Sequence, residues 1–365
     1  MKSHELDSCE IQRWYPRFKS VSLRTIIHPL PESFIAYLQE DGVFLPKNSE
    51  AIPSRPKGEC EDDDYQRWEE EDDEADEPNI PSFPDLEAAV TVSIDSLDGS
   101  VFPKLNWSAP KDSAWISSHG NLKCTNFGEI CLLLKASDSL VHDLCHAYDS
   151  CEDKAFERPR NFFLALRKWY DMRPEMEFRG FVRHGLLVGV SQREITCFYP
   201  ALLESRETLG HSIFQFFVDS LSEAFELEDY TFDCYVTRAG KVKLVDFNPW
   251  GAFTLPLLFT WDELEATYVK FKNAYYRNSD GDAEPISCAG LHMSWKRANI
   301  ALREQGFKPE FRIVESEGHV QINLRVAGGV PYDYVQTGPG SAWDEFLRHA
   351  NDELQQQNRD AAAGG

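Results

Sequence analysis

The 365-residue sequence has no apolar run near the about 18 residues that a membrane-spanning helix needs, so no spanning segment is expected. Met1 to Phe18 is studded with charge and holds no apolar core of about seven or more residues, so no secretory leader is expected either. Basic residues are scarce: 37 Lys and Arg stand against 61 Asp and Glu, a net charge of −24. A duplex nucleic acid or an anionic membrane would need a basic surface, so neither is expected as the main partner. The nine cysteines are odd in number and scattered, with no CxxC pair. Without a leader they read as reduced, mostly buried thiols of a cytosolic or nuclear protein, and the sequon Asn106-Trp107-Ser108 as a chance match. The chain also lacks a GxxxxGK(S/T) phosphate loop, a His-Arg-Asp catalytic loop and a Gly-rich loop before Lys104. Those absences exclude P-loop enzymes and protein kinases of the ordinary kind.

Aromatic residues are plentiful, with 24 Phe, 13 Tyr and 9 Trp, enough for two or three packed units. Half of the net charge lies in one segment. Glu59–Glu77 holds thirteen acidic residues in nineteen positions against the single base Arg67, and prolines bracket it at 53, 56, 78, 81 and 84. Self-repulsion and missing apolar residues predict a disordered acidic loop. Elsewhere the pattern alternates. Strands are expected at Val21–Ile27, Ser100–Trp107 and Phe162–Trp169, with a hairpin of Phe178–Arg183 and Leu186–Gln192 about His184-Gly185. Helices are expected at Pro31–Leu38, Leu86–Leu97, Phe127–Lys135 and Leu209–Phe225, and again at Trp343–Leu354. Hairpins mixed with helices indicate an α+β fold with antiparallel sheets.

The sharpest signal is the hairpin Tyr230–Val236 and Lys241–Phe247. A two-residue turn at Ala239-Gly240 places Asp233 directly opposite Asp246, with Asn248 on the same face. A three-residue loop would instead place Asp233 opposite Val245. Two carboxylates and an amide converging among apolar neighbours want a cation, and hard oxygen ligands suit Mg²⁺. Cations gather on the strands nearby: Lys104 and Lys111, Arg167 and Lys168 before Trp169, Arg179 and Arg183, and Arg193. A polyphosphate requires such a set beside a metal. His142-Asp-Leu-Cys-His146 imitates a zinc helix, but it carries Asp where a metalloprotease has Glu and lacks a third ligand. It reads as ordinary polar residues at a helix end.

Trp14-Tyr-Pro-Arg-Phe18, Ser100-Val-Phe-Pro-Lys-Leu-Asn-Trp-Ser-Ala-Pro110, Leu166-Arg-Lys-Trp169, Glu177-Phe-Arg179, Ser191-Gln-Arg-Glu before Ile195 and Val245-Asp-Phe-Asn-Pro-Trp-Gly251 together resemble the eukaryotic cell division cycle protein 123 family. The similarity runs over about residues 10–260, with weaker echoes near Leu257–Leu264 and Pro331–Leu347. It implies a two-lobed ATP-grasp-like fold. The N-terminal lobe would be 1–50 and 80–165, interrupted by the acidic loop 51–79. A C-terminal nucleotide- and metal-binding lobe would follow at 166–275, then a variable segment and C-terminal helix at 276–365. The resemblance further implies that Lys104, Asn106, Trp107, Ala109 and Lys111 bind ATP, with Lys104 and Lys111 on its phosphate side. Arg167, Lys168 and Trp169 would form a hinge beside adenine. Arg179 and Arg193 would reach phosphates or a second substrate, and Asp233, Asp246 and Asn248 would hold Mg²⁺. The implied role is a monomeric, ATP·Mg²⁺-binding chaperone that binds the gamma subunit of eukaryotic translation initiation factor 2 during assembly. An ATP-dependent ligase or transferase is the alternative, and a scaffold with a vestigial site a third. Trp250 and Ala252 depart from the family pattern, and Asp280–Gly306 aligns with nothing in it.

Overall fold

The computed structural model describes residues 1–47, 49, 80–277 and 294–317. The acidic loop, the helix expected at Trp343–Leu354 and the echo near Pro331–Leu347 lie outside the described residues. No helix among the described residues is long and apolar enough to cross a membrane.

Two sheets organise the chain. The first joins β1 (Thr25–Pro29), β3 (Phe163–Lys168) and β2 (Val101–Lys104) in that order, with β3 antiparallel to both neighbours. β1 starts later than the Val21–Ile27 expected, and β2 is shorter than Ser100–Trp107. The chain folds back after Lys104, where the Leu105 N–H donates to the Ser108 carbonyl at 2.9 Å. Helices α3 (Glu32–Gln39), α4 (Pro84–Ser96), α5 (Phe127–Lys135) and α6 (Asp138–Cys145) belong to this lobe. Apolar residues such as Phe34, Val90, Ile94, Ile130 and Leu164 fill one core against the sheet. Pro84 opens α4, where its missing N–H costs nothing. Asn126 caps α5 by accepting from the Glu129 N–H at 2.8 Å.

The second sheet has the order β7-β6-β4-β5-β8: β4 (Glu177–Arg183), β5 (Leu186–Gln192), β6 (Tyr230–Val236), β7 (Val242–Pro249) and β8 (Glu310–Arg312). All neighbours are antiparallel except β5 and β8. One face packs on α7 (Pro200–Phe216) and the single π-helical turn Phe217–Leu221, through Phe178, Ile213, Phe217, Phe232, Leu244 and Phe247. On the other face Phe181, Val188 and Phe259 meet α8 (Trp261–Arg277) and α9 (Trp295–Glu304). Part of the segment expected to be variable, around Ala298 and Leu302, is therefore core of this lobe. α8 opens with a reciprocal cap: Glu263 N–H donates to Thr260 Oγ1 at 3.2 Å, and Thr260 N–H to Glu263 Oε2 at 2.7 Å.

The N-terminal helices α1 (Ser3–Ser8) and α2 (Ile11–Phe18) strap the lobes together. Ile11 N–H donates to the Asn106 carbonyl at 2.9 Å in the first lobe. Trp14 and Phe18 meet Phe247 of the second edge-on, at 5.5 and 5.2 Å between ring centres. Ser22 Oγ donates to the Leu244 carbonyl at 2.8 Å. The result is the two-lobed α+β architecture with antiparallel sheets that the sequence pattern indicates, and the lobes meet along a seam where Lys104 and Arg167 of the first sheet contact Asp246 and Val245 of the second.

Candidate functional site

The floor of this seam is a polar row across the second sheet. In register along it stand Arg312 (β8), Ser191 (β5), Arg179 (β4), Asp233 (β6) and Asp246 (β7). Directly opposite residues share a face, so this row lies on one side of the sheet. Asp233 does face Asp246, by a different route from a two-residue turn. The turn holds three residues, Arg238, Ala239 and Gly240: Thr237 N–H donates to the Lys241 carbonyl at 2.9 Å, and Gly240 takes φ +74°. Cys234 then opposes Leu244, and a bulge at Val245 returns Asp246 to Asp233. The same bulge explains how Leu244 and Phe247, three apart, both reach the α7 core while Asp246 and Asn248 lie on the opposite face.

Asp233 is held by arginines. Arg179 Nε and Nη2 donate to its two oxygens at 2.7 and 2.9 Å, and Arg193 Nε reaches Oδ2 at 3.3 Å. Burial would raise this carboxyl, but the Arg179 and Arg193 guanidiniums outweigh it and hold the group well below the usual carboxylate range. Arg179 is itself buried and also donates to the Leu255 carbonyl at 3.0 Å. Asp246 takes a different partner: the Lys104 ammonium, only 2% exposed, lies 2.6 Å from its Oδ2. Lys104 also donates to the Trp107 carbonyl. Three buried polar atoms of this floor find no hydrogen-bond partner among the described residues: Asp246 Oδ1, Asn248 Nδ2 and Thr231 Oγ1. Thr231 and Asn248 are opposite one another, one step along the hairpin from the carboxylate pair.

Above the floor, Lys111 opens the 3₁₀ turn Lys111–Ile116 and is exposed to solvent. The nearby Arg193 charge lowers its pKa most, and the Glu177 and Asp233 carboxylates oppose it. Glu177, a residue sequence reasoning left out of the site, is raised by burial against the pull of Lys111 and Arg193. The structure thus brings Lys104, Lys111, Arg179, Arg193, Asp233, Asp246 and Asn248 together at the seam.

The remaining expected residues have other partners. Asn106 is wholly buried: its amide donates to Glu10 Oε1 at 2.9 Å and to the Asn161 carbonyl at 3.1 Å, and its oxygen accepts from Phe163 N–H at 2.8 Å. Trp107 Nε1 donates to the Leu6 carbonyl at 2.9 Å. Ala109 is half-buried in the turn before Lys111, its carbonyl accepting from Lys111 N–H at 2.7 Å. Arg167, 1% exposed, donates to the Val245 carbonyl at 2.7 Å, bolting β3 to the bulged residue of β7. Lys168 pairs with Asp98, and Trp169 stands edge-on to Phe102 with centres 6.4 Å apart.

Among the described residues no group of three or more His, Cys, Asp and Glu side chains is placed to hold a metal. The hairpin set fits a divalent cation in a narrower way. Asp246 has a buried, unpaired oxygen, whereas both oxygens of Asp233 already face guanidinium; the orphaned atom of Asn248 is the Nδ2 donor, so this amide would meet a cation through its Oδ1. A hard cation sharing oxygens with phosphate needs few protein ligands, and these two suit it.

A sequence profile of the D123 family matches residues 14–338. A Xenopus laevis protein named "Translation initiation factor eIF2 assembly protein" is 40% identical over 342 residues, covering 93% of each chain. A Candida glabrata protein named "Cell division cycle protein 123" is 41% identical over 271 residues, 71% of this chain and 76% of that one. The solved structure of Cdc123 from Schizosaccharomyces pombe superposes with a TM-score of 0.63 at 27% identity, covering 87% of this chain and 99% of that one.

Proposed function

The chain belongs to the D123 family, and on that premise we propose that it assists assembly of eukaryotic translation initiation factor 2, binding ATP·Mg²⁺ at this seam and the factor's gamma subunit on its surface. The assembly role is supported by relatives of that name that match nearly the whole chain. The nucleotide is supported by one observation above the others: the Asp246 carboxylate has one oxygen on the Lys104 ammonium and the other buried without a partner. An unpaired buried carboxylate oxygen costs free energy unless a ligand completes it.

The chain's own groups suit ATP by exchange of partners. Lys104, Lys111 and Arg193 carry the charge for a polyphosphate, and Arg193 reaches Asp233 through a single 3.3 Å contact from a partly exposed position. Arg179 keeps Asp233 neutralised whatever Arg193 does. Mg²⁺, when bound, would neutralise phosphate charge beside Asp246 and Asn248. The two lobes, strapped by α1 and α2, would be fixed in one arrangement by a ligand touching both. A cytoplasmic location accords with such a role.

The test is capture of purified gamma subunit by the full chain, with and without ATP·Mg²⁺, while nucleotide products are followed. Capture strengthened by ATP·Mg²⁺ with the nucleotide unchanged is the expected result. Stoichiometric release of ADP or AMP would assign an ATP-dependent transfer reaction instead, and absence of capture under both conditions would refute the proposed partner.

A further inference from the structure

His142-Asp-Leu-Cys-His146 contains a buried carboxylate that the nucleotide reading does not use. Asp143 lies on α6 and is 3% exposed. Its Oδ2 accepts from the Ser108 backbone N–H at 2.8 Å, and its Oδ1 from the Ser108 hydroxyl at 2.8 Å. The Ser108 N–H and the Trp107 carbonyl belong to one planar peptide unit. That carbonyl accepts from the Lys104 ammonium, which continues to Asp246 Oδ2 at 2.6 Å. One peptide dipole is therefore held between a buried anion and a buried cation, oriented as both charges favour. Hydrogen bonds to ionised groups are about twice as strong as neutral ones, and aligned ones polarise each other. Helix α6 also holds the far end of the same loop. Asp112 accepts from Ser137 Oγ at 2.6 Å and from Ser139 N–H at 2.9 Å, tying the turn that bears Lys111 to the start of α6.

We propose that Asp143 is a positioning residue for Lys104, acting through the Trp107–Ser108 peptide to hold the ammonium at the Asp246 end of the seam. Its consequence for ATP rests on the nucleotide reading above; the coupling between the two side chains does not.

A double-mutant cycle in the full chain decides it: Asp143→Asn and Lys104→Met, singly and together, read by ATP·Mg²⁺ affinity in a calorimeter and by urea unfolding. An amide at 143 accepts from one Ser108 donor and opposes the other. Asp143→Asn is expected to weaken ATP·Mg²⁺ about tenfold when Lys104 is present and not at all when it is Met. Unfolding should show coupling of the same sign. Equal effects in both backgrounds, in affinity and in unfolding, would make Asp143 a packing residue and overturn the proposal. If the wild-type chain binds no ATP·Mg²⁺, the nucleotide reading fails and the unfolding cycle still decides the coupling. Should either charge variant not fold, Ser108→Ala tests the same contact by removing one bond. It is expected to weaken binding about threefold, and unchanged affinity would overturn the proposal.

Discussion

Replacing Arg179 by Met tests the electrostatic design of the floor. The substitution keeps most of the aliphatic stem and removes the two bonds to Asp233 at 2.7 and 2.9 Å, together with the donor to the Leu255 carbonyl. Removing one partner of a buried ion pair costs about 3–5 kcal/mol, because the other charge is left uncompensated. Arg193 at 3.3 Å retains part of the compensation, which places the expected loss at about 3 kcal/mol at pH 7. The pH dependence has a definite sign. In the native chain the folded Asp233 carboxyl is depressed, so its stabilisation is complete above the usual carboxylate range and is lost as pH falls through the depressed value. In Arg179→Met burial dominates and the folded value rises, so the variant gains stability as pH falls toward 4. Urea unfolding followed by circular dichroism at pH 7 and at pH 4.5 should show the gap between native and variant chains narrowing. Arg179→Met/Asp233→Leu, with both charges gone, should recover at least half of the loss. A loss below about 1 kcal/mol at pH 7, or a double variant as unstable as the single one, would refute the reasoning.

Two further predictions concern neighbouring groups. Gly180 sits between Arg179 and Phe181, and a Cβ there would stand 2.3 Å from the Phe232 ring, so Gly180→Ala should cost about 1–3 kcal/mol in urea unfolding through displacement of β4 against β6. Asp143 is pushed up to about 6 by burial, against the lowering bonds from Ser108 and the Lys104 charge. Its folded form holds a proton that the unfolded chain releases between about pH 4 and 6, so this carboxyl makes the native chain less stable as pH rises through that window. Asp143→Asn should remove that slope, and the native-minus-variant difference should fall by about 2–3 kcal/mol from pH 4 to pH 6.

Much of the site is legible in the sequence because cross-strand pairing is arithmetic. Asp233 opposite Asp246, with Asn248 on the same face, is the pairing expected from a two-residue turn, and the structure reaches it instead through a three-residue turn and a compensating bulge. The three-residue loop and the bulge were harder to see, since each shifts register by one and the two shifts cancel at Asp246. A signal was present: Leu244 and Phe247, both apolar and three apart, cannot share a face of a regular strand. The Arg179 partner of Asp233 is readable in the same way, by extending the pairing from β6 to β4. The family resemblance implies ATP contacts for Asn106, Trp107 and Arg167, and the structure gives the Asn106 amide, the Trp107 Nε1 and both Arg167 Nη atoms partners inside the protein. Nothing local to Asn106 announces that Glu10, 96 positions earlier, takes its amide. Such contacts follow from the strap of α1 and α2 across both lobes, a tertiary arrangement that periodicity does not encode.

The central claim is that Asp246 completes a nucleotide–metal site. Its most direct test is equilibrium binding of ATP to the full chain with and without Mg²⁺, for the native protein and for Asp246→Asn, which keeps the shape and an acceptor for Lys104. The account predicts Mg²⁺-dependent binding by the native chain and a loss of at least about tenfold in the variant, measured at a temperature where circular dichroism shows both chains folded. Equal binding by the two proteins, or native binding indifferent to Mg²⁺, would contradict it.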